Sequence, residues 1–490
     1  MTNKNVELMR GEPEKAVKTL AIPIMISMIL TALYNIVDGI WVAGLGQTAI
    51  AGIGFVTPIF MVLTGASVGL GNGATSSISR FIGAKNREMA TKSATQALFI
   101  FLGASIILTI IFFFIQRPLL ESYGASGQTL NEAIAYSTPL FLGLFTLMFG
   151  NGCSGILRGE GDMKRAMYVV VVTVILNALL DPIFIYTFNL GSAGASLATV
   201  VSSAVSAIVI LYWILIKKNT YIDVNLKNFK FDSKISKDIL KVGIPSSLDM
   251  LIMAISMSII LIIISMVGGD YGVAVFTSGQ RLYLFAIMPL TAIGSAVIAV
   301  AGSAYGAKNG EYLSRTHIYG VKLGLTLGTV ITLILVVFAP QLATIFAYTP
   351  ETANLVPGIT EFLRFVCPCL ILTGMGIPSS FLYQGIGKGF YSLMFTILRE
   401  IIFVVPLIQL FVFEFHWHLI SIWLGLGLGR SIASVINFAF ARFEIRRLKS
   451  KFANKWLFRS LYFYFIIIVM FFIINLHNSW CPKMKYNYKD

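Results

Sequence analysis

Two aspartates occupy stretches where charge is otherwise missing. Asp38 lies in Tyr34-Asn35-Ile36-Val37-Asp38 and Asp181 in Asn177-Ala178-Leu179-Leu180-Asp181-Pro182, each inside a long apolar run. An ionisable group within a membrane span costs at least about 2.5 to 3.5 kcal/mol, so it marks a functional site by default. Asp38 precedes Gly44 by six residues and Asp181 precedes Thr187 by six. At about 1.5 Å per residue, both carboxyls then fall about 9 Å below the same end of their helices. Asn177 stands four residues before Asp181, and Tyr34 and Asn35 stand four and three before Asp38. Each acid therefore has an amide or phenol on its own helix face, one turn deeper. Thr199, near the start of the next span, falls roughly 10 Å beneath the same surface. Such oxygen-rich clusters suit a hard cation such as Na⁺, or protons. Two carboxylates close together in low dielectric cannot both stay ionised without a cation, so ion binding and protonation compete to neutralise the pair. Pro182 removes a backbone donor and is expected to free the carbonyl of Ala178. A purely structural role is disfavoured, because no Lys or Arg shares that depth on the same spans.

The elements that position these residues must be membrane helices. Of 490 residues, 57% are hydrophobic and 12% charged, with mean hydropathy +0.82, whereas soluble domains carry about 25% charged residues. This excludes soluble enzymes, nucleic-acid binders and disordered chains. The formal net charge of +15 does not point to nucleic acid. Nearly every Lys and Arg falls in a short segment between apolar runs, where it faces anionic membrane lipids and sets topology. The four cysteines, Cys153, Cys367, Cys369 and Cys481, form neither a disulfide framework nor a CxxC metal site.

A span needs about 20 mostly apolar residues. Nineteen uncharged residues separate Lys18 from Asp38, 24 separate Lys92 from Arg117, and 25 separate Glu132 from Arg158. A span from about Gly52 to Ser79, one from Arg165 to Thr187 and one from Gly191 to Lys217 complete six. Six more are expected near 242–266, 273–303, 318–340, 356–382, 392–413 and 419–441. A thirteenth is expected at Ser460–Leu476, 17 uncharged residues. The bias of Lys and Arg places the N-terminus in the cytoplasm of a multi-pass cell-membrane protein, and no cleaved signal peptide is expected.

Phe81-Ile82-Gly83-Ala84-Lys85-Asn86 recurs as Ala304-Tyr305-Gly306-Ala307-Lys308-Asn309, 223 residues on; Ala21-Ile22-Pro23 recurs as Gly243-Ile244-Pro245, and Gly159-x-Gly161 as Gly385-x-Gly387. Three anchors at nearly one offset indicate duplication. An even number of helices per copy makes both enter the bilayer in the same direction, so the pseudo-twofold axis runs along the membrane normal, as in parallel-repeat secondary transporters. The expected fold is all-α, with a six-helix bundle over 1–217, a cytoplasmic linker at 218–240, a second bundle over 241–455, and a tail at 456–490. No P-loop is present, so energy would come from an ion gradient. At the repeat offset, Asp38 falls near Ile260 and Asp181 near Val405 to Leu407, none acidic, so the second half is expected to lack the site. It carries its own charges at Asp249, Arg281, Glu361, Arg364, Arg399, Glu400 and Arg430. Glu361 and Arg364, one turn apart, suggest a local ion pair, and Asp249 and Arg281 could line the cavity. Gly159-Glu160-Gly161-Asp162 matches the GxGD string of intramembrane proteases. Basic neighbours make it read as a solvated turn, and no enzyme activity is expected.

Asn35-Ile36-Val37-Asp38 with Ala43-Gly44-Leu45-Gly46, Leu157-Arg158-Gly159-Glu160-Gly161-Asp162, Leu176-Asn177-Ala178-Leu179-Leu180-Asp181-Pro182 and Gly194-Ala195-Ser196-Leu197-Ala198-Thr199 resemble the multidrug and toxic compound extrusion (MATE) family. Gln280-Arg281-Leu282 leading to Tyr305-Gly306-Ala307-Lys308-Asn309 is similar to that family's eighth helix and following loop. The resemblance covers about residues 15–450 and is strongest to the prokaryotic branch with archaeal and DNA-damage-inducible-type members. It implies an efflux transporter exchanging organic, often amphiphilic and cationic, compounds for Na⁺ or H⁺. Asp38, Asn177, Asp181 and Thr199 would hold the coupling ion, with Tyr34 supporting them and Asn35, Asn151, Asp249 and Arg281 as candidate cavity residues. Expected partners are a small organic substrate and membrane lipids, with no nucleic acid, no cofactor beyond the coupling ion, and a monomeric state. A lipid or lipid-linked sugar flippase of the same broad superfamily is the alternative, left open by Arg281, Arg364 and Arg430.

Overall fold

Within hydrocarbon every backbone amide must be paired inside the chain, which leaves the helix as the economical choice for these apolar runs. The computed structural model describes residues 4–217, 220–224, 229–347, 352–415 and 418–453. The expected thirteenth helix at 460–476 and the tail lie outside these. A short α1 (Lys4–Arg10) precedes a first bundle of α2 (Pro13–Ala43), α3 (Gln47–Gly83), α4 (Arg87–Ser122), α5 (Gly127–Leu142), α6 (Leu144–Gly159), α7 (Met163–Pro182) and α8 (Gly191–Leu211). The second bundle comprises α9 (Ser233–Gly306), α10 (Gly310–Val337), α11 (Ala339–Phe346), α12 (Val356–Val366), α13 (Cys369–Gly385), α14 (Gly389–Ile397), α15 (Val405–Phe415) and α16 (His418–Phe452).

Nine elements are long and apolar enough to cross a bilayer, and two bent pairs make up one span each. The expected loop between the seventh and eighth spans is reduced to a kink inside the 74-residue α9, at Gly269 with φ 54° and ψ −150°. Only glycine takes that conformation cheaply. Counting α9 twice gives twelve spans among the described residues. The fourth and tenth spans, expected as single helices, are each bent by 51°, at Gly143 and at Cys367-Pro368. Pro368, which has no N–H for the carbonyl four residues back and whose ring clashes with that carbonyl, accounts for the second break.

The duplication has a physical core. Lys85 and Lys308 both take positive φ, 58° and 53°, and the next residues, Asn86 and Asn309, each cap a helix by accepting a backbone N–H at 2.9 Å, from Met89 and Tyr312. The repeated Gly-Ala-Lys-Asn string is thus one turn-and-cap device used twice.

The bundles meet toward the end carrying these turns. Arg80 bridges to Asp238 at 2.8 Å and Arg315 to Glu14 at 2.9 Å, while the Asn72 amide donates to Gln384 at 3.2 Å. In α1, Val6 and Met9 are fully buried; Arg10 donates to the carbonyl of Ile82, and Tyr312 donates to that of Met9. The short helix therefore touches both halves.

The turn at Gly159–Asp162 is not the solvated loop expected. Glu160 and Asp162 are buried. Asp162 caps α7 by accepting from Arg165 N–H and pairs with its guanidinium. Glu160 accepts the backbone N–H groups of Tyr221 and Ile222 at 2.9 and 3.3 Å, fastening the linker, while Arg87 donates to Tyr221 O at 2.8 Å. Burial, assisted by Asp162, pushes the Glu160 carboxyl up from 4.5 to about 8. The folded state then binds a proton that the unfolded chain has released, so this contribution to stability is fully present below pH 4.5 and is lost as pH rises through about 8. Glu160→Gln should flatten the fall in Tm across that window. A wild-type and a mutant curve with the same slope would refute this.

Candidate functional site

Asn177 and Asp181 lie one turn apart on α7, with Thr199 on α8 and Tyr34 and Asp38 on α2. Asp181 is fully buried and Asn177 almost so. The carboxyls of Asp38 and Asp181 stand within hydrogen-bonding reach of each other. The hydrogen-bond network assigns the Asn177 amide with its oxygen accepting from Thr199 N–H at 3.0 Å and its nitrogen donating to Asp181 Oδ2 at 3.1 Å and to Tyr34 Oη at 2.9 Å. Asp181 Oδ1 has no hydrogen-bond partner. A buried oxygen of this kind is costly to leave unpaired. Beside a second carboxyl it calls for a proton or a cation.

Five of the predicted residues thus come together, and others do not. Asn35 and Asn151 are exposed and make no hydrogen bond to the cluster. Pro182 ends α7 but not the helical path, which continues as the π-helix Ile183–Thr187. There Tyr186 donates to the carbonyl of Trp41 at 2.6 Å, tying the end of α7 to the end of α2 and holding the two acids in register. Tyr136 on α5 feels both carboxylates electrostatically. Neither tyrosine was flagged by the sequence, because a tyrosine in a span carries no pattern of its own. If this cluster holds the ion that drives transport, Tyr34→Phe, which removes one hydrogen bond worth about 1 kcal/mol, should weaken apparent affinity for that ion about fivefold. Unchanged ion dependence of efflux would show Tyr34 to be a bystander.

In the second bundle, Asp249 and Arg281 do not act together. Arg281 is exposed, while Asp249 sits beside Ser392, Thr396 and Arg399. Glu361 and Arg364 form no ion pair. Three of the charges expected in this half, Arg399, Glu400 and Arg430, come together as a polar cluster. The repeat-equivalent helix has its own π-helical stretch, Leu398–Val404, carrying Arg399 and Glu400. Glu400 is buried, 2.8 Å from Arg399 Nε and 3.6 Å from Arg430 Nη2. The carbonyl of Glu400, within this π-helical stretch, accepts from Ser256 at 3.0 Å.

Two duplicated bundles, joined toward one end and bearing buried charges on equivalent helices, define a polytopic membrane transporter. The sequence matches the MatE family profile over residues 23–183 and 245–409, and the chain belongs to that family. It is 25% identical to the probable multidrug resistance protein YpnP of Bacillus subtilis (strain 168), over 91% of this chain and 98% of YpnP. It is likewise 25% identical to the multidrug export protein MepA of Staphylococcus saprophyticus, over 80% and 86% of the two chains. Among solved structures it is similar to a MOP superfamily transporter from Pyrococcus furiosus, at 39% identity, TM-score 0.89, and 92% and 99% coverage. An outward-facing multidrug resistance MATE family transporter matches at the same identity and TM-score, with 92% and 100% coverage.

Proposed function

We propose that this transporter exports organic, often amphiphilic and cationic, compounds across the cell membrane in exchange for Na⁺ or H⁺, with its N-terminus in the cytoplasm. The observation that carries the reading is the unpartnered Asp181 Oδ1 facing a second carboxyl in a buried setting. With the site open to the outside, Asp38 and Asp181 take up the ion, and neutralising the pair removes the repulsion that held α2 and α7 in their cargo-binding arrangement. Rotation of the Asn177 amide by half a turn would exchange its N–H groups for an oxygen toward the cation, and Thr199 would add a hydroxyl. In the opposite orientation the ion leaves and cargo binds again. The names of the relatives, multidrug export and resistance proteins, support export of foreign compounds.

The test is efflux of a fluorescent organic cation from proteoliposomes under Na⁺ and pH gradients imposed one at a time. One inward gradient should accelerate efflux while the other leaves it unchanged. Acceleration by neither gradient would end the reading.

A further inference from the structure

The second bundle encloses a polar crevice of about 30 Å³ lined by Gln280, Tyr283, Thr373, Arg399, Glu400 and Arg430, with Met253, Leu284 and Ile287 as its apolar rim. Arg430 is only 7% exposed. Its guanidinium stacks 4.7 Å over the Tyr283 ring and offers one nitrogen to Glu400, but Nη1 has no partner. Gln280 Oε1 and Thr373 Oγ1, both buried, are likewise unpartnered. Glu400 divides its single charge between two guanidiniums, and Asp249, the other acid nearby, turns toward Ser392 and Thr396 rather than lining the crevice. What is left unmet at the centre is an arginine N–H and a hydroxyl donor, with a single orphaned acceptor, Gln280 Oε1. That pair fits an oxyanion, since guanidinium matches carboxylate and phosphoryl oxygens in both charge and geometry. The volume admits the head of such a group but not a drug-sized body, which would lie along Leu284, itself 40% exposed. Each bundle therefore has one buried polar site beside a π-helical stretch of its fifth span, a feature that recurs at functional sites: acids in the first, arginines in the second.

We propose that this crevice binds the oxyanion of an amphiphile, a carboxylate or phosphoryl group anchored on Arg430 and Thr373. Binding stands independently of the export reading, on which only the identity of the ligand as cargo rests. The full chain in phosphatidylcholine nanodiscs is titrated with a fluorescent xanthene dye bearing a free carboxylate and, separately, with its methyl ester. The carboxylate form should bind about tenfold more tightly, a gap typical of one charge-assisted contact. Arg430→Gln should abolish the gap by weakening the carboxylate form alone, and Arg117→Gln, which removes an exposed arginine of the first bundle, should leave it intact. Equal binding of the two forms to the wild type, or equal weakening of both by Arg430→Gln, overturns the proposal. If that variant does not fold, Thr373→Val replaces it, with about threefold loss expected for the carboxylate form only; loss for both forms or for neither overturns it equally. Repeating the titration in phosphatidylglycerol separates the two sources of oxyanion. Selective competition against the carboxylate dye identifies a lipid headgroup as occupant, and an unchanged preference identifies a carboxylate cargo. Failure of both gradients to drive efflux of the ester dye by the wild type would end the export reading while leaving the binding result standing, so this proposal and the export reading can fail separately.

Discussion

Asp181→Asn, and separately Asp38→Asn, should uncouple efflux from the ion gradient while leaving the fold intact. The replacement keeps the side chain's shape and its ability to accept from Asn177, so packing around α7 survives. What is lost is the charge. Removing a charged partner from a buried site costs about 1.5 to 3 kcal/mol, so the apparent affinity for the driving ion should fall about 10- to 100-fold. Efflux at saturating cargo in proteoliposomes would then no longer respond to either gradient. Cargo affinity measured without a gradient should fall, since an aspartate–asparagine pair carries the same single negative charge as the ion-loaded pair and so favours the arrangement that releases cargo. Full gradient-driven efflux in both variants would remove the acid pair from the mechanism, whatever its geometry.

Gly306→Ala should tilt the transporter toward the conformation opened at the end where the bundles now meet. A Cβ on Gly306 would fall 1.8 Å from the carbonyl oxygen of Arg80, and the repeat-equivalent Gly83 faces the carbonyl of Ser303 at 1.9 Å. Both obstacles are backbone and have no rotamer to escape into. Overpacking of this kind costs about 1 to 3 kcal/mol, enough to shift a two-state equilibrium about 5- to 150-fold. The readout is modification of Ala66→Cys, at the seam where Ser247 reaches the Ala66 carbonyl, by an impermeant maleimide added from the N-terminal side in a Cys481→Ser background. Labelling should rise at least about fivefold. Unchanged labelling in a well-folded variant would mean that the seam relaxes locally and does not gate access.

The span count, the duplication and the first-bundle cluster were legible in the sequence because each has a one-dimensional signature. Hydrocarbon forces runs of about 20 apolar residues, a lone carboxylate in such a run stands out, and residues four apart on one helix share a face. The i, i+4 pairing of Asn177 with Asp181 is therefore written in the sequence itself. That Asp38 meets Asp181 depended on the packing of α2 against α7, which equal depth suggested but could not orient around the helix axes.

Tertiary structure alone decided the rest. Arg399, Glu400 and Arg430 stood out in the sequence as charges in apolar runs, but that Glu400 lies between the two guanidiniums depended on how the helix carrying Arg430 packs against the π-helical stretch. The GxGD turn looked solvated because its charged neighbours are adjacent in sequence, yet the linker at 220–224 folds over it and buries Glu160. Glu361 and Arg364 had the spacing of an ion pair without its geometry. In each case the outcome depends on which distant element covers a residue, and spacing along a single helix carries no information about that.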